Sequence, residues 1–290
     1  MNILGKRYIF FGLSLLLIIP GLIIMFAGGI PLSIDFTGGS LLEVSFTDQS
    51  PDTSEIIAVY EDANIADVQV QTSDTGSYII RSQFLENDNR DAVLASLTDT
   101  IGTVTVVRFD SVGPSIGEQV TSRGTLAVVV SSLLVVLFIA WSFRGVANAF
   151  RYGICAILAM IHDVAIIFSI TAVGSIFWGW EIDSLFLTAL LTVIGFSMQD
   201  TIVVFDRIRE NSNIYRRLEF ETLVNHSIVQ TLQRSINTQL MTVEFLLLAL
   251  AMFGGVTLRE FASILLIGLL SGTYSSIFIA APILVLWENR

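Results

Sequence analysis

Asp200 has the most unusual setting in this sequence, because it is a carboxylate within a long apolar segment. Residues 184–205 are apolar enough and long enough to cross a bilayer as a helix. An ionised group there costs at least ~2.5–3.5 kcal/mol on insertion scales, which suggests a functional site. A carboxyl that can be neutral or charged has the chemistry that proton transport requires. The alternative is an acid that joins helices through hydrogen bonds, and Ser197 and Gln199 are close enough in sequence to be its partners.

Charged residues near the ends of apolar segments could act with Asp200. Arg234 precedes the apolar segment 235–253. Its positive charge either anchors the helix at the membrane surface or reaches inward to Asp200. Asp206 lies at the charged edge that follows segment 184–205, where it forms part of an interfacial surface or controls the inner opening of a path.

Two further segments contain ionisable residues. His162 and Asp163 lie about halfway along the apolar segment 152–177. Adjacent side chains on a helix point about 100° apart, so we expect one to face the core of a helical bundle and the other a neighbouring helix. Glu244 lies inside segment 235–253, and the sequence suggests no partner for it.

Small and turn-forming residues indicate where helices pack and where segments join. One group surrounds the junctions between apolar segments and the polar region after the first: Asp35, Gly38, Gly39, Gly113 and Pro114. Within segment 261–287, Gly268 and Gly272 are one helical turn apart, a spacing that favours close helix packing.

Composition is typical of a multi-pass membrane protein. The 290 residues are 53% hydrophobic and 14% charged, with a mean hydropathy of +0.74. The net charge of −11 is uneven, because residues 31–122 contain fifteen Asp and Glu but three Arg. Such an acidic segment argues against nucleic acid as a partner. No metal-ligand cluster, nucleophile constellation or cofactor motif is visible, so we expect no metal, no cofactor and no enzyme activity.

Hydrophobic periodicity divides the chain into three parts. Residues 1–29 hold a first apolar span, and residues 123–290 hold five more, at 125–143, 152–177, 184–205, 235–253 and 261–287. Residues 30–122 follow the order strand, helix, strand, strand, helix, strand, which is typical of a ferredoxin-like domain. An amphipathic helix is predicted near 212–233. We therefore predict an α-helical polytopic membrane protein with one inserted α+β domain.

The distribution of basic residues predicts the orientation. Except for Arg259, which lies at an outer turn next to Glu260, those at segment ends cluster on one side: Lys6, Arg7, Arg144, Arg151, Arg207, Arg209, Arg216, Arg217 and Arg234. The opposite ends carry the acidic domain and the acidic turn 181–183. By the positive-inside rule, both termini are cytoplasmic and the large domain lies outside the cell membrane.

Several motifs in a consistent order resemble those of the SecD/SecF family, specifically its SecF branch. They are IDFTGG at 34–39, VGP at 112–114, IHD at 161–163, the stretch 189–211 around Asp200, Arg234 with Asn237 and Thr238, and the glycine- and serine-containing stretch 268–279. Together they cover essentially the whole chain. The resemblance implies a six-helix transmembrane bundle of the RND type with one external domain.

The resemblance also implies an auxiliary subunit of the Sec protein translocase. Such a subunit works with a SecD-like subunit beside the translocon channel and accessory membrane proteins. It uses the proton-motive force to assist exported preproteins at the outer side of the lipid bilayer. In the family, an acid in the fourth helix and an arginine opening the fifth are associated with proton transport, and these match Asp200 and Arg234. We place His162 and Asp163 in the same path.

The sequence departs from the usual family pattern at five positions: Ser33, Phe196, Gln199, Ser235 and Glu244. The surroundings of Asp200 are therefore altered, and Glu244 is an added titratable residue. Two other functions stay open, a homodimeric RND-type exporter of small molecules or lipids and a scaffold that stabilises the translocon without transport. A carboxylate can serve either protons or sodium ions.

Overall fold

The computed structural model describes residues 2–47, 50–72, 76–144, 149–239 and 245–288. The chain forms two compact units. One, which we call the lobe, is Leu32–Thr125. The other, which we call the bundle, combines Met1–Pro31 with Leu126–Arg290. The first long helix, α1 (Arg7–Ala27), belongs to the bundle and precedes the lobe in sequence.

The lobe contains a four-stranded antiparallel sheet. Its elements are α2 (Ile34–Thr37), β1 (Gly39–Phe46), α3 (Thr53–Asp62), β2 (Gln69–Thr72), β3 (Tyr78–Ser82), α4 (Asn87–Thr100) and β4 (Val104–Val112). The strand order β2-β3-β1-β4 with antiparallel neighbours is the predicted ferredoxin-like arrangement. Alternation along β1 and β3 buries Leu42, Val44 and Ile80, which share a core with Ile56 and Leu97 of the helices.

Glycines allow a close approach where the lobe begins and ends. Gly38 ends α2 with φ +71°, and a Cβ there would lie 2.9 Å from the Cα of Pro114. Gly39 has φ +123°, and its Cβ would meet the carbonyl oxygen of Ser82 at 2.7 Å. Asp35 lies in the first turn of α2. The residues predicted to join the lobe to its flanking helices therefore gather where α2 meets the start of α5 (Pro114–Ser142).

The bundle is built from long apolar helices. After α5 come α6 (Ala149–Trp178), α7 (Ser184–Ile214), α8 (Phe220–Gln239), α9 (Phe245–Phe253), α10 (Val256–Ser275), a π-helical segment (Ser276–Ala280) and α11 (Ala281–Glu288). Within the described ranges, five stretches are long and apolar enough to cross a membrane: Leu4–Ala27, Pro114–Ser142, Ala149–Trp178, Ser184–Ile214 and Leu258–Glu288. They correspond to five of the six predicted spans. The sixth, 235–253, includes residues 240–244, which lie outside the described residues.

Helix α8 differs from the amphipathic helix predicted at 212–233. Residues 212–214 still belong to α7, whereas α8 begins at Phe220 and continues past Arg234 to Gln239. The buried face of α8 is longer than its apolar residues alone would predict, because it also contains polar residues at four-residue spacing: Ser227, Thr231, Ser235 and Gln239. Hydroxyls of Ser227 and Thr231 bond to carbonyls of their own helix, which permits their burial.

Contacts between helix ends define two sides of the bundle. Two ion pairs join ends on one side: Arg7 with Glu221, and Arg151 with Glu288. Two hydrogen bonds from backbone N–H groups join ends on the opposite side: Ile182 to the Pro31 carbonyl (2.9 Å) and Glu181 to the Glu260 carboxylate (3.0 Å). The first side carries most of the arginines at helix ends, and the second carries acidic residues together with Arg259.

Candidate functional site

Asp200 lies on α7 inside the bundle and is 8% exposed. The Ser235 hydroxyl of α8 donates to its Oδ1 at 2.6 Å, and the Ser276 hydroxyl of the π-helical segment donates to its Oδ2 at 2.6 Å. Hydrogen bonds to a carboxylate are short and about twice as strong as neutral ones. Three helical elements therefore converge on one acid.

The residues predicted to surround Asp200 are distributed differently. The side chain of Arg234 is exposed next to Ser235, and its charge acts on the Asp200 carboxyl. Within the described part of the chain, no ion pair joins the two. Gln199 is exposed. Ser197 donates to Asp163 instead, so neither neighbour in sequence supports Asp200 as predicted.

Asp163 on α6 is the more enclosed of the two acids, with 1% exposure. Its carboxylate accepts hydrogen bonds from three serine hydroxyls: Ser197 (2.5 Å), Ser271 (2.7 Å) and Ser275 (2.6 Å). The Nδ1 atom of His162 lies 3.0 Å from its Oδ1. The pair therefore meets through the side chains even though the residues are adjacent on one helix. Four polar groups around a buried acid give it a defined position.

The two acids are connected through adjacent serines. Ser275, the last residue of α10, binds Asp163, while Ser276, the first residue of the π-helical segment, binds Asp200. Each hydroxyl also lies within reach of a carbonyl of its own helix, 3.1 Å from Gly272 O and 3.0 Å from Thr273 O respectively. Short π-helical segments occur frequently at functional sites. A change at either acid therefore acts on the same turn of helix.

Glycines bring α10 close to its neighbours at this level. A Cβ at Gly272 would lie 3.0 Å from the Cβ and 3.1 Å from the Cα of Ser197. A Cβ at Gly268 would lie 2.5 Å from Val193. The predicted packing positions thus lie between α10 and α7, and they allow Ser271 and Ser275 to reach Asp163.

The remaining predicted residues lie away from the acids. Asp206 is exposed on α7 and forms an ion pair with Arg209 at 2.6 Å. Glu244 lies outside the described residues. A Cβ added at Gly113 would meet no other atom within 4 Å. In the described ranges, no group of three or more His, Cys, Asp and Glu could hold a metal ion.

Comparison with known proteins identifies the family. The profile for the C-terminal region of protein export membrane protein SecD/SecF matches residues 92–290, and the SecD/SecF GG motif matches residues 23–49. The chain belongs to the SecD/SecF family. Protein translocase subunit SecF of Anaerolinea thermophila is 62% identical across the whole chain and is covered over 94% of its length. The subunit of the same name from Thermobaculum terrenum is 45% identical across the whole chain and is covered over 95%.

Solved structures of SecDF agree with this membership. SecDF from Thermus thermophilus, described as a translocon-associated membrane protein, matches the whole chain with a TM-score of 0.84 and 32% identity. A SecDF structure in a super-membrane-facing form matches with a TM-score of 0.70 and 33% identity. The chain spans 39% of each of those SecDF chains. The RND-type bundle with an inserted α+β lobe is therefore shown, and the chain is a membrane protein of the SecF type.

Sequence reasoning missed the serines as partners of the acids. In the sequence, Ser276 is only a member of the glycine- and serine-containing stretch 268–279, and Ser235 is a departure from the family pattern. A usable signal was present, because Ser271 and Ser275 are one helical turn apart in an apolar segment of a protein with a buried acid on another helix. Hydroxyls in such a position need hydrogen-bond acceptors within the protein, because no water reaches them.

Proposed function

We propose that this SecF-type subunit of the protein translocase carries protons through Asp200 and converts the proton-motive force into assistance for exported preproteins. The observation that supports the proposal is an enclosed carboxylate held by hydroxyls from two other helical elements. The charge of Arg234 acts on it from an exposed position without a direct contact. An acid in this setting can change its charge without breaking an ion pair.

Protonation changes the packing around the acid. The ionised carboxylate accepts both serine hydroxyls, whereas a protonated carboxyl must turn one oxygen into a donor. Ser276 can then donate to the Thr273 carbonyl, 3.0 Å away in its own helix. The link between α7 and the π-helical segment weakens, and a second packing of these helices becomes accessible.

The energies involved are of matching size. A hydrogen bond to a charged group contributes ~1.5–3 kcal/mol. A potential of 100 mV supplies about 2.3 kcal/mol for each elementary charge that crosses the membrane. The energy of one proton crossing therefore lies within the range of one such bond, and taken alone it would shift a two-state equilibrium by more than tenfold.

The proposed orientation places the arginine-rich side of the bundle in the cytoplasm, with both termini. The lobe then lies outside, where it can contact exported chain. This follows from the positive-inside rule applied to the helix ends joined by Arg7 with Glu221 and Arg151 with Glu288. Labelling of single cysteines at the two helix ends, with an impermeant reagent, distinguishes the two orientations.

The proposed partner is a SecD-type subunit beside the translocon channel. Only 6% of the most apolar window of Pro114–Ser142 is buried, against 67% for Leu258–Glu288. An apolar helix so exposed needs lipid or another subunit around it. SecDF relatives combine this region with a longer chain, which supports SecD as the occupant. A stable homodimer without SecD after purification would favour the exporter alternative.

Asp200→Asn tests the proposal most simply. It keeps the shape and one acceptor oxygen but cannot take up and release protons. In vesicles that contain the subunit with SecD and the channel, we expect proton flux and proton-driven export to be lost. Asp206→Asn, a change of the same chemistry at an exposed site, is the matched control and should retain both. Full flux and export in Asp200→Asn would instead support the scaffold function.

A further inference from the structure

A polar path leads from the second acid to the first helix. The Nε2 atom of His162, whose Nδ1 faces Asp163, lies 2.9 Å from the Ser14 hydroxyl on α1. The Ser14 Oγ lies 3.4 Å from the Tyr274 hydroxyl, which donates to the Phe10 carbonyl of α1 at 2.7 Å. The path therefore starts at a buried acid on α6 and returns to α1.

Ser14 is placed for this contact alone. It is 4% exposed, and only it and Gly21 are buried among the residues of α1. Most of the remaining surface of α1 is exposed and apolar, as at Leu13 and Leu16. A hydroxyl at the buried position of such a helix needs a polar partner, because the bilayer offers none.

Proton counting gives this path two states. In the first, Asp163 is ionised and His162 is neutral, its Nδ1–H donates to Asp163, and its Nε2 accepts the Ser14 O–H. When one proton is added at Nε2, the Nε2–H donates to Ser14, whose O–H turns to donate to Tyr274. Tyr274 donates to the Phe10 carbonyl in both states, so each hydroxyl keeps a partner. In the structure the Ser14 O–H donates to the Tyr274 oxygen at 3.4 Å, with the Ser14 Oγ 2.9 Å from the His162 Nε2, which is the arrangement of the second state.

The groups around His162 are limited in number. Among the described residues, Asp163 on its own helix and Tyr274 on α10 are the titratable groups that face it directly. Helix α7 contributes Asp200, which is held by Ser276 next to the Ser275 that holds Asp163. Helix α1 presents the Ser14 hydroxyl. A proton gained by the His162–Asp163 pair therefore changes the hydrogen bonding of α1 mainly through Ser14.

Helix α1 has a second attachment to α6 next to its internal proline. Pro20 interrupts the hydrogen-bond ladder. The Ser169 hydroxyl enters the next rung, accepting from the Gly21 N–H at 3.2 Å and donating to the Leu17 carbonyl at 2.5 Å. Side chains inserted into a ladder in this way are a recognised cause of helix kinks. The part of α1 beyond this point leads directly into the chain of the lobe, which begins at Leu32.

We propose that Ser14 passes the protonation state of the His162–Asp163 pair to α1, which makes α1 the helix that moves in response to the second acid. This rests on the proposed function, because it needs protons to enter the bundle. Ser14 and Tyr274 are positioning residues in this scheme, and they carry no proton across the membrane. Movement of α1 about Pro20 and Gly21 is the output.

Ser14→Ala tests the proposal, with Ser175→Ala as the matched control. The Ser175 hydroxyl bonds only within its own helix, to the Ala172 carbonyl. The movement of α1 is followed by thiol labelling of Phe26→Cys, a residue that is 90% exposed, after the buried Cys155 is replaced by alanine. Proton flux and export are measured in the same vesicles with SecD and the channel.

We expect labelling of the parent to depend on pH. Ser14→Ala and Tyr274→Phe should lose this dependence while keeping proton flux, and export should fall by about two- to tenfold, as for one lost hydrogen bond. Ser14→Thr should restore both, and Ser175→Ala should behave as the parent. Unchanged pH-dependent labelling in Ser14→Ala would overturn the proposal, as would loss of flux together with export. If Asp200→Asn also keeps flux and export, the proposed function itself fails, which is a separate result.

Discussion

Removing one serine hydroxyl that bonds to Asp200 should change the pH at which Asp200 releases its proton, by an amount and in a direction that can be predicted. In Ser276→Ala, the hydroxyl that donates to Oδ2 at 2.6 Å is lost. Such a bond to a charged group contributes ~1.5–3 kcal/mol, and it favours the ionised carboxyl over the neutral one. At about 1.4 kcal/mol for each pH unit, its loss makes release of the proton require a pH roughly one to two units higher.

The assay is proton flux through vesicles held at a fixed outer pH while the pH on the cytoplasmic side is varied. We expect the pH of half-maximal flux in Ser276→Ala to move upward by this amount, with maximal flux little changed. Ser263→Ala is the matched control on α10, the helix that immediately precedes the π-helical segment, because the Ser263 hydroxyl donates to the Arg259 carbonyl within α10. Ser235→Ala should move the midpoint in the same direction. An unchanged midpoint, a downward shift, or an equal shift in Ser263→Ala would refute the reasoning.

Three further predictions concern packing and stability. Gly272→Ala should destabilise the bundle by ~1–3 kcal/mol through overpacking, seen as a lower thermal unfolding temperature. Gly195→Ala, where a Cβ meets nothing within 4 Å, should be tolerated, and equal effects would contradict the predicted contact. Gly38→Ala should lower the folding stability of the lobe by about 1–2 kcal/mol, because the φ of Gly38 is +71°. Hydrogen exchange of the lobe should be faster in Gly38→Ala and unchanged in Gly113→Ala. Burial raises the pKa of the Tyr60 hydroxyl above 10, so its neutral form stabilises the lobe below pH 10 and this contribution is lost as the pH rises further. Hydrogen exchange of the lobe, measured above pH 10, should depend less on pH in Tyr60→Phe than in the parent. The same pH dependence in both proteins would exclude ionisation of Tyr60 as the cause.

The lobe could be predicted from the sequence almost completely, because its signals are local. Alternation of apolar and polar residues predicts β1 and β3, and helical spacing of apolar residues predicts α4 (Asn87–Thr100). The same holds for five of the spans, which are recognised by length and apolar content. The boundaries of α8 could not be found in this way, because buried Thr231 and Ser235 carry no apolar signal.

The two acids were recognisable from their apolar surroundings, but their partners were not. Ser197 and Asp200 are three residues apart on α7, so their side chains point about 60° apart. That angle is enough for Ser197 to face Asp163 while Asp200 faces Ser235 and Ser276. Which serine bonds to which acid depends on how three helices pack. The change from α-helix to π-helix between Ser275 and Ser276 has no sequence pattern of its own.

The central claim is that Asp200 gains and loses a proton in the working protein. Difference infrared spectroscopy of the complex with SecD, recorded as the outer pH is lowered, detects a protonated carboxyl directly. The account predicts a carboxylic acid band that appears on acidification, is absent in Asp200→Asn and is retained in Asp206→Asn. A spectrum in which the parent and Asp200→Asn are identical would contradict it.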